Sequence, residues 1–193
     1  MRNFFLFMLF LAAWQGTISA QKITLPKYQI SLSYFGESIT HRGIRLGFST
    51  PISQNVNSTE ESSTIQKGWV LGGYITYYKH PRNHQGIMVT GAIGRQRVGE
   101  GGFLTAINLE AGYMLSLLDG ATFEWDGQNI VEASKSSSHA VFGFNGGAGW
   151  DFKKSSDIPI SFQVVPHFYF QAPYNSLLVP RFALETKLSL LLN

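Results

Sequence analysis

The sequence predicts an all-β protein, an eight-stranded antiparallel up-and-down transmembrane β-barrel. Three observations carry the prediction. Long segments alternate large apolar residues with small or polar ones, and a strand turns successive side chains to opposite faces. The polar parity is rich in glycine and carries single charges, which suits the interior of a narrow barrel. No stretch after Trp14 is long and apolar enough for a transmembrane helix, which needs about 20 residues.

The start of the chain is a separate unit. Arg2 precedes an apolar run from Phe4 to Trp14, and small residues follow at Gly16, Thr17, Ser19 and Ala20. This is the pattern of a secretory signal peptide, expected over residues 1–20 with removal after Ala20. Residues 21–193 then form one barrel domain. The chain has no cysteine, which excludes disulfides, thiol catalysis and Cys-ligated zinc. The formal charge of +3 is small and its basic residues are scattered, so nucleic acid is not an expected partner.

Eight segments follow in order. Tyr28–Phe35 sets Tyr28, Ile30, Leu32 and Tyr34 against Gln29, Ser31 and Ser33. His41–Ile52 sets Ile44, Leu46 and Phe48 against Gly43, Arg45, Gly47 and Ser49. Lys67–Lys79 is rich in Tyr, Trp and Gly, and its parity is ambiguous. Gly86–Arg97 and Phe103–Leu117 continue the alternation, the second with Ile107, Leu109 and Tyr113 opposite Asn108, Glu110 and Gly112. Ala140–Phe152 is the cleanest, with Phe142, Phe144 and Trp150 opposite Gly143, Asn145, Gly149 and Asp151. Pro159–Gln171 sets Phe162, Val164, Phe168 and Phe170 against Gln163, His167 and Gln171. The last run sets Phe182, Leu184, Leu188, Leu190 and Leu192 against Arg181, Glu185, Lys187 and Ser189.

Alternation alone does not say which face is inside. Segment length does, because a globular strand averages about 5–6 residues whereas a tilted membrane strand needs about 9–11. Aromatics near strand ends (Trp69, Tyr77, Tyr78, Trp150 and Phe152) are read as interfacial girdles. With the N-terminus in the periplasm, Gly36–Thr40, His80–Gln85, Leu118–His139 and Ala172–Leu177 connect strands outside. Ser53–Gln66, Val98–Gly102 and Lys153–Ile158 then lie in the periplasm. Ser53–Gln66, polar and read as mobile, is longer than periplasmic turns usually are.

With these segments in view, the chain resembles the small outer-membrane β-barrels of Gram-negative bacteria over nearly all its mature length. It is similar to uncharacterised Bacteroidota-type barrels through Tyr78-Lys79-His80-Pro81-Arg82-Asn83-His84 and Pro173-Tyr174-Asn175-Ser176-Leu177-Leu178-Val179-Pro180-Arg181. The resemblance implies the outer membrane as location and outer-membrane lipid as surroundings, with other envelope proteins as partners. It assigns no activity. Such barrels commonly end in an aromatic residue, and this chain ends Leu192-Asn193.

Two groups of residues are candidates for function. An interior polar network is expected from Arg45, Asn108, Glu110, Asn145, Gln163, His167, Arg181, Glu185 and Lys187, because buried charges are costly unless paired. An outer-rim cluster is expected from His80, Arg82, Asn83, His84, Tyr174 and Asn175. No cofactor and no metal site is expected: His80 and His84 are four apart, but Pro81 forbids the helix that would align them. Catalysis needs a nucleophile, a base and an orienter. His80, His84, His139 and His167 are candidate bases, with Ser136, Ser137, Ser138 and Ser176 as candidate nucleophiles. They are equally ordinary loop and interior residues, and no nucleophile elbow is present. The expected role is therefore structural or interactive in the envelope, with a closed polar interior. The alternatives are a lipid-modifying outer-membrane enzyme and a soluble periplasmic or secreted ligand-binding β-barrel. Phe123-Glu124-Trp125 before Asp126-Gly127 predicts a short hairpin in the long loop.

Overall fold

The computed structural model describes residues 26–38, 41–58, 64–81, 83–121, 123–132, 134–174 and 177–192. The signal peptide expected over residues 1–20 lies outside them. The strands are β1 (Tyr28–Glu37), β2 (His41–Ser58), β3 (Thr64–His80), β4 (His84–Val98), β5 (Phe103–Leu118), β6 (Phe123–Trp125), β7 (Ile130–Glu132), β8 (Ser136–Asp151), β9 (Ile160–Tyr174) and β10 (Leu177–Leu192). One short helix, α1 (Phe152–Ser156), follows β8 and is capped by Asp151, which accepts from the Lys153 backbone N–H.

Eight of these strands close on themselves in the order β1-β10-β9-β8-β5-β4-β3-β2, every pair antiparallel. Closure is made by Tyr28↔Leu192 through Glu37↔Ala183, so the first and last strands start and stop at one end of the barrel. We call that the terminal end and its opposite the loop end. β6 and β7 pair separately as the predicted hairpin in the loop between β5 and β8. Its Phe123, Trp125 and Ile130 are exposed.

The faces divide as a lipid-facing wall requires. Ile44, Leu46, Ile75, Val89, Ile107, Leu109, Phe144 and Leu188 point outward, and a band of this kind belongs against hydrocarbon. Ser33, Arg45, Asn145, His167 and Glu185 point inward and are each at most 4% exposed. β3, ambiguous by pattern, places Thr76 and Tyr78 inside and Trp69, Leu71, Ile75 and Tyr77 outside. Tyr78 is therefore no girdle residue: it is fully buried in the lumen. Gly86 makes its room, since a Cβ there would lie 2.3 Å from the Tyr78 ring.

Ser53–Gln66 differs from the expectation of a mobile polar connection. β2 runs on to Ser58 and β3 starts at Thr64, with the register shifting between Pro51 and Ser53. Backbone pairing needs no apolar side chain, so the hairpin continues beyond the apolar band, and the bulge at Pro51 absorbs the missing N–H.

Candidate functional site

The lumen is filled in layers. At mid-height a polar network draws on seven strands. Arg45 Nη2 on β2 donates to Glu110 Oε1 on β5 at 2.6 Å, and its Nε lies 3.9 Å from Glu185 Oε2 on β10. Glu185 accepts from Ser33 Oγ on β1 at 2.5 Å and from His167 Nε2 on β9 at 2.6 Å. Glu110 also accepts from Asn145 Nδ2 on β8 at 2.7 Å, and Asn108 Nδ2 donates to Asn145 Oδ1 at 2.8 Å. Tyr74 on β3 lays its ring 4.2 Å from the Arg45 guanidinium, a cation–π contact. Gly47 permits this, because a Cβ there would meet the Tyr74 ring at 2.5 Å. Both carboxylates thus have several donors, which is what keeps buried charge tolerable.

Above the network, toward the loop end, lies an apolar layer of Phe35, Tyr78, Met88, Met114, Val141, Tyr169 and Ala183. Between the two layers a cavity of about 20 Å³ touches Arg45, Thr90, Glu110 and Tyr169. Thr90 Oγ1 and Tyr169 OH have no hydrogen-bond partner, and the space suits one water molecule. Val98 and Leu104 form a second apolar pair near the terminal end.

The network expected from sequence is thereby divided by height. Glu110 and Glu185 meet Arg45, and Asn145, Asn108 and His167 join through them. Arg181 does not: it pairs with Glu37 at 3.4 Å and donates to Gln171 Oε1 at 3.3 Å, both at the loop-end mouth. Gln163 is buried toward the terminal end, opposite Lys187 in the ladder. Lys187 stands two residues along the same inward face from Glu185. Ser33, Tyr74 and Glu37 also belong to the site, although sequence alone raised no expectation of them there. Glu37 was findable by carrying the inward parity of β1 one step past Phe35.

The loop-end mouth gathers the other histidines. His41 Nδ1 contacts the Glu37 carboxylate. The His41 and His80 rings lie 3.7 Å apart, and those of His80 and His84 lie 5.5 Å apart. Tyr78 OH is 3.3 Å from His84 Nε2. On the β8 side, His139 Nδ1 donates to the Pro173 carbonyl at 2.5 Å, which leaves Nε2 to accept from Ser137 Oγ at 2.9 Å. Of the expected rim cluster, His80 and His84 are brought together, and Asn83 joins the turn by donating its N–H to His80 O. Arg82, Asn175 and the Tyr174 side chain lie outside the described residues. Among the described residues, no group of three or more His, Asp or Glu is placed to hold a metal ion.

In the hairpin above the mouth, the Asn129 and Gln128 backbone N–H groups donate to Asp126 Oδ1 at 2.6 and 2.8 Å. They hold that carboxyl below its ordinary range.

No family model matches the chain, and no curated protein matches it. Solved structures do. The outer-membrane enzyme PagL shares 13% identity over 82% of this chain and 97% of its own, with a TM-score of 0.40. The N-terminal β-barrel domain of Pseudomonas aeruginosa OprF shares 9% over 86% and 97%, with a TM-score of 0.42. The Yersinia pestis outer membrane protein Ail shares 13% over 85% and 99%, with a TM-score of 0.39.

Proposed function

We propose that this protein is a sealed outer-membrane barrel that serves the envelope as a structural or docking element, working through its loop end. The carrying observation is the stack of a cross-strand ionic network under an apolar layer, with a cavity of only about 20 Å³ between them. A barrel filled in this way has no route for solute, since eight strands give an interior that side chains just fill. The terminal end faces the periplasm and the loop end faces outward, which puts Phe123, Trp125 and Ile130 where an envelope partner can reach them. Photo-crosslinking in intact cells from a probe at Trp125 tests this reading. Discrete adducts with envelope proteins are expected. Absence of adducts, or extraction of the mature protein without detergent, counts against it.

A second reading, a lipid-modifying enzyme, is favoured by one observation. Ser137, His139 and the Pro173 carbonyl form a nucleophile, base and orienter chain at the mouth. Ser137→Ala and His139→Ala, introduced separately, decide it. Altered outer-membrane lipid in the mass spectrum supports catalysis, and an unchanged lipid profile removes this reading.

A further inference from the structure

The seam between β8 and β9 is interrupted at mid-height. β8 and β9 pair from Ala140↔Ala172 to Asn145↔His167, lapse, and resume at Ala148↔Val164. The lapse sets Gly146 and Gly147 against Pro166 and Val165. The outer neighbours are unaffected: β5 pairs through Ile107↔Gly146 and Ala106↔Gly147, and β10 pairs through Leu184↔Pro166 and Glu185↔Val165. Pro166 has no N–H to donate, so the rung opposite Gly146 lacks its bond. In a bilayer this is a costly place to leave a backbone group unpaired, because no water is present to replace the bond.

A notch of about 470 Å³ opens at the lapse. Its rim is apolar and lipid-facing, made by Ile107, Phe144, Phe168 and Phe182. The Phe144 and Phe168 rings lie 5.6 Å apart across the seam. Behind the notch stand Asn145 and His167, both members of the mid-height network. The position along the wall is central. Gly146 is four residues from Trp150 toward the terminal end and four from Phe142 toward the loop end, and Phe142 stacks on Phe170 of β9.

We propose that this notch is a binding site for a single lipid acyl chain, which lies in the seam and covers the gap over the ionic network. The inference rests on the transmembrane reading. At mid-depth the wall meets hydrocarbon, so the occupant must be apolar. Gly146 supplies an open bed: a Cβ there would meet nothing within 4 Å except Ala106 O at 3.8 Å. The volume falls within the range of small-ligand clefts, about 300–1,000 Å³.

Two variants act on the notch without touching the ionic residues. Gly146→Leu fills it, and Pro166→Val restores the missing N–H and lets the ladder close. The experiment reconstitutes the full barrel in nanodiscs of phosphatidylcholine carrying a diazirine midway along one acyl chain, then maps adducts by mass spectrometry. The expected result is adducts concentrated on Phe144–Gly146 and Pro166–Phe168, above those on Leu46, Val89 or Leu188. Those seam adducts should fall several-fold in either variant, while labelling on the other strands is unchanged. Even labelling around the barrel with no response to Gly146→Leu overturns the proposal. So do protein–protein adducts at the seam, which would make a second copy the occupant. No adduct anywhere contradicts the transmembrane reading itself, which distinguishes the two failures.

Discussion

The lumen holds charged and polar side chains at two heights, and they behave differently. At mid-height, Arg45, Glu110, Glu185, His167, Asn145 and Ser33 bond to one another across six strands, and all but the half-buried Glu110 are buried. At the loop-end mouth, Glu37 meets His41 and Arg181, the His41 and His80 rings lie together, and His139 bonds a backbone carbonyl. Residue type does not separate the two sets; depth does. Deep in the barrel, each charge needs a partner from another strand, so the network braces the wall. At the mouth, Arg181 and His41 are partly exposed, so water shares the task for them, while Glu37 beneath them stays buried.

The largest expected effect lies in the deep layer. Arg45→Ala strands two buried carboxylates and should cost about 3–5 kcal/mol of folding stability. Urea unfolding in lipid vesicles measures it. Removing the charges together, as Arg45→Met with Glu110→Gln and Glu185→Gln, should leave the barrel more stable than Arg45→Ala alone. If the triple variant is the less stable, pairing is not what the layer provides. The outward face provides the next test. Leu109→Arg places a charge at the middle of the lipid-facing wall and should cost about 2–4 kcal/mol. A soluble barrel would tolerate it, so the sign of the result separates the two environments.

Smaller effects follow toward the mouth. Asn145→Ala leaves Asn108 and Glu110 short of one partner each and should cost about 1–3 kcal/mol. His80→Ala, at the mouth, should move the unfolding midpoint far less. If the two variants are equal, depth is not the governing variable. The smallest effect belongs to the exposed hairpin. The Asp126 carboxyl is held below its ordinary range by the Asn129 and Gln128 N–H groups. Its support for the turn is therefore complete above the unfolded-state pKa and is lost as pH falls through the lowered one. Amide exchange at Gln128 and Asn129 should stay slow at neutral pH and quicken only in acid, with the barrel strands unaffected. Asp126→Asn should weaken that pH dependence.

Much of this architecture is legible in the alternation. Ile44, Leu46 and Phe48 facing out against Arg45 and Gly47 facing in can be read from β2 alone, because the bilayer imposes opposite chemistry on the two parities. What the pattern leaves out has physical causes. Strand ends beyond the apolar band carry no lipid signal, so the pairing of Ser53–Ser58 with Thr64–Trp69 is invisible in side-chain type. Height inside a staggered barrel depends on register, so Arg181 and Arg45 look equivalent in sequence yet meet different carboxylates. Pro166 lies in an ordinary-looking strand segment, and its consequence emerges only when Gly146 and Gly147 are placed opposite it. Tyr78 reads as a girdle aromatic until β3 is assigned its inward parity.

Ion conductance across planar bilayers tests the sealed interior most directly. Purified wild-type protein, shown to be folded and inserted, should leave the current at the baseline of the bare membrane, because the Arg45 network and the Phe35–Tyr169 layer block the lumen. Reproducible ohmic steps from the wild-type protein would contradict the account.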